Sequence, residues 1–408
     1  MRSRLALACG WLLAAATLSA DDSPPPVGQF TVSGSYSLTA EGGQDASPWT
    51  AGQSAELAVT GRWGQTLHVE GHLTAPFDGT SVTADGLLRQ LVLAWSPTPW
   101  SVVTFGKQRL KWGSARVLSA ISGLEPAYDP LHPAAPLDGV AGVKAEVLPN
   151  EWLGVSLLAL PAAVLDDSKF AARADVLWAD TDLSFGAVAG TVQALTSWNG
   201  VAAVQQKRTQ GTVFADASHF FDSFGVYAEV QASRLRDRDW YGTDGAQPLS
   251  LMTPEGAPWS LRATAGLQVD TPVWLNGTVT WLTEYRYDGA GFDAAEASSF
   301  ATAWAHRTAS TFSPPTGLTV GTLSKHYAYT GLSGVPVTEK LTAGASVLAG
   351  LDTGFVLGRL TADVPVDQHL SIQLAYSRFD KLPGAAAVTD LVFLTVRDQV
   401  TVTTSAAY

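Results

Sequence analysis

Hydrophobic and polar residues alternate along most of this chain. Phe30, Val32, Gly34, Tyr36 and Leu38 are separated by Thr31, Ser33, Ser35 and Ser37. Leu57, Val59, Gly61 and Trp63 alternate with Glu56, Ala58, Thr60 and Arg62, and Leu67, Val69, Gly71 and Leu73 with His68, Glu70, His72 and Thr74. The same rhythm returns at Val226–Ser233, Leu261–Val269 and Leu370–Ser377. A period of two marks strands whose faces meet different surroundings. Repeated from residue 29 to near 402, it predicts about eighteen strands, with sixteen the competing count. The two counts differ over residues 322–353, which are hard to divide and hold a short turn at Asp352-Thr353.

The connections carry a second pattern. Short turn-like links fall at Gly64-Gln65, Pro97-Thr98-Pro99, Pro149-Asn150-Glu151, Asp180-Thr181-Asp182, Asp222-Ser223, Asp270-Thr271-Pro272 and Asp367-Gln368. Longer polar links fall near 41–53, 76–85, 113–138, 194–207, 237–259 and 288–321. Alternation of short and long links is how outer-membrane barrels place tight periplasmic turns against long outer loops. The fold expected is therefore all-β: a transmembrane, antiparallel, up-and-down β-barrel.

Composition narrows the choice. Arg2 and Arg4, an apolar run from Leu5 to Leu18, and Ser19-Ala20 before Asp21-Asp22 read as a secretory signal peptide over residues 1–20. Residues 21–408 then form one barrel domain. The only cysteine, Cys9, lies in the leader, so the exported part holds no disulfide. Charged residues are 15% of the chain, and no later stretch approaches the length of apolar sequence that a spanning helix needs. A closed barrel is the other structure that lipid tolerates. Without the leader, 23 Lys plus Arg against 37 Asp plus Glu leave 23 − 37 = −14, which speaks against nucleic acid as a partner.

One segment stands apart. In "GKQRLKWGSARV", Lys107, Arg109 and Lys111 occupy every second position, with Leu110 and Trp112 between. A lysine facing lipid costs roughly 2–4 kcal/mol at the midplane, so the register predicts the cations on the lumenal side and Leu110 and Trp112 on the lipid. Val103 and Phe105 break this parity, and a bulge near Gly106 would reset it. The apolar, proline-rich link that follows carries Arg116, Glu125, Asp129 and Asp138. It either folds into the mouth, setting acids against the basic ladder, or packs on itself at the rim. Trp63, Trp100, Trp112, Trp152, Trp178, Trp274 and Tyr287 near strand ends suit interfacial girdles.

The pattern from Gly106 through Trp112-Gly113 to Pro126 resembles a strand-to-loop segment of porin-like outer-membrane proteins of Gram-negative and spirochaete-type bacteria. "EYRYDGAGF" at 284–292 and "KHYAYTGLS" at 325–333 are similar to later strands of such proteins. The resemblance implies a barrel and carries over no catalytic residue.

By parity, further lumenal positions are Glu56, Arg62, His68, Glu70, His72, Lys144, Glu146, Arg173, Asp175, Arg262, Glu284, Arg286 and Arg359. Acids and bases two apart on one strand suit a wet channel wall held by modest ion pairing. His68 and His72 sit about 13 Å apart on a strand, which argues against a shared metal. No cofactor or metal is implied. The sequence has neither a Gly-x-Ser-x-Gly elbow nor a His-Glu-x-x-His motif. The reading is a non-enzymatic porin for passive diffusion of small hydrophilic solutes across the cell outer membrane. Its partners would be membrane lipid, those solutes and the barrel-insertion machinery. The alternatives are a surface-exposed structural or adhesin barrel with a closed lumen and, behind it, an outer-membrane hydrolase.

Overall fold

The computed structural model describes residues 28–42, 50–63, 66–76, 87–121, 124, 139–162, 167–198, 203–234, 240–242, 250–252, 259–273, 277–298, 323–367, 370–381 and 398–407. The wall begins with β1 (Gly28–Gly42), β2 (Thr50–Trp63), β3 (Leu67–Pro76), β4 (Leu88–Thr98), β5 (Ser101–Gln108) and β6 (Val140–Asn150). It continues through β7 (Leu153–Leu160), β8 (Lys169–Trp178), β9 (Thr181–Trp198), β10 (Ala203–Phe221) and β11 (Phe224–Ser233). A small separate hairpin follows, β12 (Trp240–Gly242) with β13 (Ser250–Met252). The wall resumes with β14 (Ser260–Val273), β15 (Gly277–Asp288), β16 (His326–Thr338) and β17 (Leu341–Gly350). It ends with β18 (Phe355–Pro365), β19 (Leu370–Lys381) and β20 (Asp398–Ala407).

The wall has 18 strands, each antiparallel to its chain neighbours. β20 returns to pair with β1, from Ser33↔Ala407 to Gly42↔Asp398. Every wall strand thus has a partner on both sides, and no row of backbone amides is left open to lipid. Division of 322–353 into two strands decides the count: β16 and β17 meet at Glu339-Lys340, and Asp352-Thr353 does lie in a turn, between β17 and β18.

Short turns gather at one end, including Glu151-Trp152, Ala179-Asp180 and Asp222-Ser223, and this end is the periplasmic one by the usual asymmetry of such barrels. Several expected links belong instead to strands. Asp270-Thr271-Pro272 lies in β14, Pro149-Asn150 in β6 and Pro97-Thr98 in β4. Proline holds φ in a range that an extended chain accepts, so the last ladder pairs of a hairpin form around it. Most of 194–207 is also strand, from β9 and β10. β8 pairs with β9 only as far as Ala189, and β11 with β10 only as far as Thr212. Beyond those points residues 190–198 and 203–211 pair with each other, a two-stranded ribbon rising roughly 30 Å past its wall neighbours at ~3.4 Å per residue. Its sequence lacks the apolar alternation of the wall, which hid the strands.

The alternation separates two surroundings. Leu91, Leu93 and Trp95 face outward on β4, opposite Lys107, Phe105 and Val103 of β5. Phe170, Phe185, Val213, Val230, Leu261 and Leu360 continue this exposed apolar surface. At the periplasmic hairpins Trp100, Trp152 and Trp178 are exposed, with the Phe221 and Phe224 rings stacked 4.4 Å apart. Trp63 closes the β2–β3 hairpin, half-buried. At the opposite end Tyr287 lies 5.3 Å from the His326 ring, whose Nδ1 is 2.5 Å from the Tyr285 hydroxyl. Trp274 lies outside the described residues.

The parity of β5 needs no reset: its register runs unbroken through Gly106, with Val103 and Phe105 paired to outward-facing Trp95 and Leu93, so the bulge expected near Gly106 is absent. Gly106 sits at φ +111°, and a Cβ there would meet the Leu91 carbonyl oxygen at 2.1 Å. Before it Phe105 faces lipid; after it the chain prepares to leave the wall. Gly106→Val is expected to lose at least about 1–3 kcal/mol through backbone strain alone. The loss is read as a lower temperature for disappearance of the fast-migrating folded band on a semi-native gel. An unchanged transition would show that the turn does not need glycine.

Candidate functional site: a segment that crosses the lumen

β5 stops at Gln108, and the chain turns into the barrel. Leu110, 2% exposed, and Trp112 pack with Leu158 and Leu160 of β7, Ala171 of β8 and Phe214 of β10, joined by Ile121 and Leu124. The Trp112 and Phe214 rings are 5.7 Å apart. These wall residues are lumenal, since Leu157, next to Leu158 on the opposite face of β7, is exposed on the outside. Leu110 and Trp112 are therefore inside the barrel, not on the lipid as strand parity predicts, and Trp112 belongs to no girdle. The reason is that parity ends with the strand: past Gln108 no ladder fixes which way a side chain points.

Farther along, Leu118 packs into a second cluster with Tyr327, Leu348, Phe355, Leu357 and Phe379, from strands β16 to β19. The segment thus reaches from the β7–β10 wall to the β16–β19 wall and bridges the lumen. Of the two possibilities for this link, its described part takes the inward one.

Two carboxylates of the wall hold the crossing. Glu229 of β11 accepts hydrogen bonds from the Ala115 amide at 2.5 Å, the Ala120 amide at 2.7 Å and the Ser119 hydroxyl at 3.0 Å. Glu284 of β15 accepts from the Arg116 amide at 2.6 Å, the Val117 amide at 3.0 Å and the Leu118 amide at 2.5 Å, and from the Tyr227 hydroxyl. Successive amides turned to one side make a concave anion site, and here the wall supplies the anion. Both glutamates are 2% exposed, so their charge is tolerable only because donors surround it. Thr264 of β14 adds a hydroxyl to the Leu118 carbonyl at 2.5 Å, and Arg173 of β8 donates to the Trp112 carbonyl. Gly113 suits this close approach: a Cβ would lie 2.1 Å from Glu229 Oε1 and would push that carboxylate off its amide partners.

The remaining charged residues distribute around this bridge. Arg109 reaches back to Glu56 of β2, Nη2 to Oε1 3.8 Å. Glu56 also meets His72 Nδ1 at 3.3 Å, while His72 Nε2 is 2.8 Å from Glu70 and His68 Nε2 is 3.8 Å from that same carboxylate. Arg62 stands opposite His68 in the β2–β3 register. Lys144 and Glu146 pair along β6 at 2.9 Å. Arg173 binds Asp175 at 2.6 Å and Ser184 at 2.7 Å. Arg262 pairs with buried Asp288 at 3.0 Å, the Arg286 guanidinium lies 4.8 Å from the centre of the Tyr327 ring, and Arg359 donates to Ser377 at 3.4 Å. Lys107, Arg109 and Lys111 do not form one straight ladder: only Lys107 is in the strand, and there it pairs with outward-facing Leu91 and exposed Ala141, not on the lumenal face that parity predicts. Glu125, Asp129 and Asp138 lie outside the described residues.

Glu229, Tyr227, Thr264 and Asp216 escaped selection from the sequence. Tyr227 and Glu229 stood in a recognised alternating run, on its polar face. What marks Glu229 and Thr264 is a partner more than a hundred residues away, and Tyr227 one 57 residues away, which a single strand cannot reveal.

Between the crossing segment and the periplasmic turns lies a cavity of about 540 Å³. Lys111 and Arg116 enter it from the segment; Asp175, Asp182 and Asp216 enter it from β8, β9 and β10.

No protein-family model and no curated protein sequence matches this chain. Solved barrels do. Wzi of Escherichia coli, an outer-membrane protein involved in group 1 capsule assembly and described as a carbohydrate-binding β-barrel, is 12% identical. The match covers 93% of this chain and 84% of Wzi, with TM-score 0.53. OccK11 of Pseudomonas aeruginosa is 10% identical over 93% of this chain and 95% of its own, TM-score 0.51. A BenF-like porin from Pseudomonas fluorescens is 10% identical over 93% and 99%, TM-score 0.50. What is shared at such identities is the architecture. The chain has the fold of outer-membrane β-barrels.

Proposed function

We propose that the protein is a channel for passive diffusion of small hydrophilic solutes, with the crossing segment as its constriction. One observation carries this reading: the lumen is narrowed by a segment that presents Lys111 and Arg116, both exposed, to a charged wall. Charges set around a narrow wet passage determine the field that a solute feels there. Replacing Arg109 and Lys111 with glutamine is expected to shift selectivity toward cations. The reversal potential in a salt gradient across a planar bilayer reads this, and an unmoved potential would count against the basic residues as selectivity determinants. A second reading, a structural barrel with a closed lumen, draws support from the apolar clusters where the segment meets each wall. Folded protein that gives no conductance steps would favour it.

A further inference from the structure

We propose that the cavity beneath the crossing segment is a binding station for zwitterionic solutes of amino-acid to dipeptide size. The inference rests on the channel reading for its role in uptake, and on geometry alone for the binding itself. The cavity is bipolar. Lys111 and Arg116 make no ion pair among the described residues, and both side chains are exposed. They hang from a bridge whose position Glu229 and Glu284 fix. The facing wall carries Asp175, Asp182 and Asp216 on three consecutive strands, with Arg173 as the one cation beside them among the described residues, so this wall keeps a net negative charge.

The acids are not fully answered by the protein. Arg173 satisfies one oxygen of Asp175. Asp182 is exposed in the cavity. Asp216 is 7% exposed, and its Oδ2 has no hydrogen-bond partner. Although Ser184 and Arg173 face Asp216, its carboxyl has fewer donors than it can use, and a cation in the adjoining cavity adds to them at short range. An ammonium group set toward this wall supplies that cation, and a carboxylate at the other end of the same molecule meets Lys111 and Arg116. A neutral sugar would leave both sets of charges unanswered, and a simple anion would answer only one. The volume, about 540 Å³, is within the range of small-molecule sites.

The test uses full-length protein folded in detergent, with binding followed by calorimetry. The probes are γ-aminobutyrate, butyrate, butylamine and glucose. γ-Aminobutyrate is expected to bind roughly tenfold more tightly than either singly charged analogue, the loss that one charged hydrogen-bonding partner entails. The pairs Lys111→Gln with Arg116→Gln, and Asp182→Asn with Asp216→Asn, should each remove that advantage. Gel mobility of the unheated protein confirms that each variant is folded. Asp182→Asn alone, at an exposed site, serves should the acidic pair fail to fold. Equal binding of butyrate or butylamine, preference for glucose, or no binding by any probe would overturn the proposal. Conductance of the same preparation separates the two readings: binding without conductance removes the channel and keeps the station, and conductance without binding does the reverse.

Discussion

Replacing Glu229 and Glu284 together with alanine is expected to raise single-channel conductance several-fold and to expose residues 109–121 to added protease. These carboxylates gather the amides of Ala115, Arg116, Val117, Leu118 and Ala120, and the hydroxyls of Ser119 and Tyr227. Each hydrogen bond to a charged group contributes on the order of 1.5–3 kcal/mol, and an amide left buried without an acceptor adds its own cost. Water entering beside the segment would satisfy those amides once it moves from the wall. What then resists release is the packing of Leu110 and Trp112 at one end and of Leu118 at the other. Single substitutions should act less than half as strongly as the pair, because either glutamate still holds its own stretch. Conductance and protease resistance both at wild-type values would mean that the apolar contacts alone fix the crossing.

The second large effect distinguishes adjacent residues of one strand. Leu360 is 58% exposed in the middle of β18, while its neighbour Thr361 faces the lumen, paired with Ala375 of β19. Leu360→Arg is expected to destabilise the folded barrel by about 2–4 kcal/mol, the cost of a cation at the hydrocarbon midplane. Thr361→Arg, placing the same side chain in the wetted interior, is expected to cost far less. Urea titration in lipid vesicles, followed by tryptophan fluorescence, compares them. Equal losses would show that β18 does not separate lipid from water.

The sequence made the wall legible and left the bridge obscure, for one physical reason. Lipid and water act on every wall residue, so each strand records its surroundings in its own period of two. That is why Leu57 against Glu56, or Val230 against Glu229, can be sorted without a structure. Leu110 and Trp112 fail the same test because they follow the last ladder pair, at Gln108↔Val140. Their apolar character was read correctly; the surface it serves was not. Burial inside a barrel and burial in lipid ask for the same side chains. Around Gly106 the sequence predicts a bulge that resets the parity, but the ladder continues through it to Gln108 and the parity does not change. Glu284 was legible as a lumenal acid, but its task was not, because its partners are backbone amides, and those leave no trace in residue identity. The extensions of β9 and β10 beyond the wall were hidden for another reason: they lack the apolar alternation that marks the wall strands.

The bridge also bears on the order in which the molecule is made. Residues 109–121 emerge near the start of the chain, yet Glu284 and the cluster around Leu118 belong to β15 and to β16–β19. Until those late strands arrive, one end of the crosspiece has nothing to sit on. Seating it must therefore be among the last events of assembly, and the growing sheet has to curl around a piece of itself that it already carries.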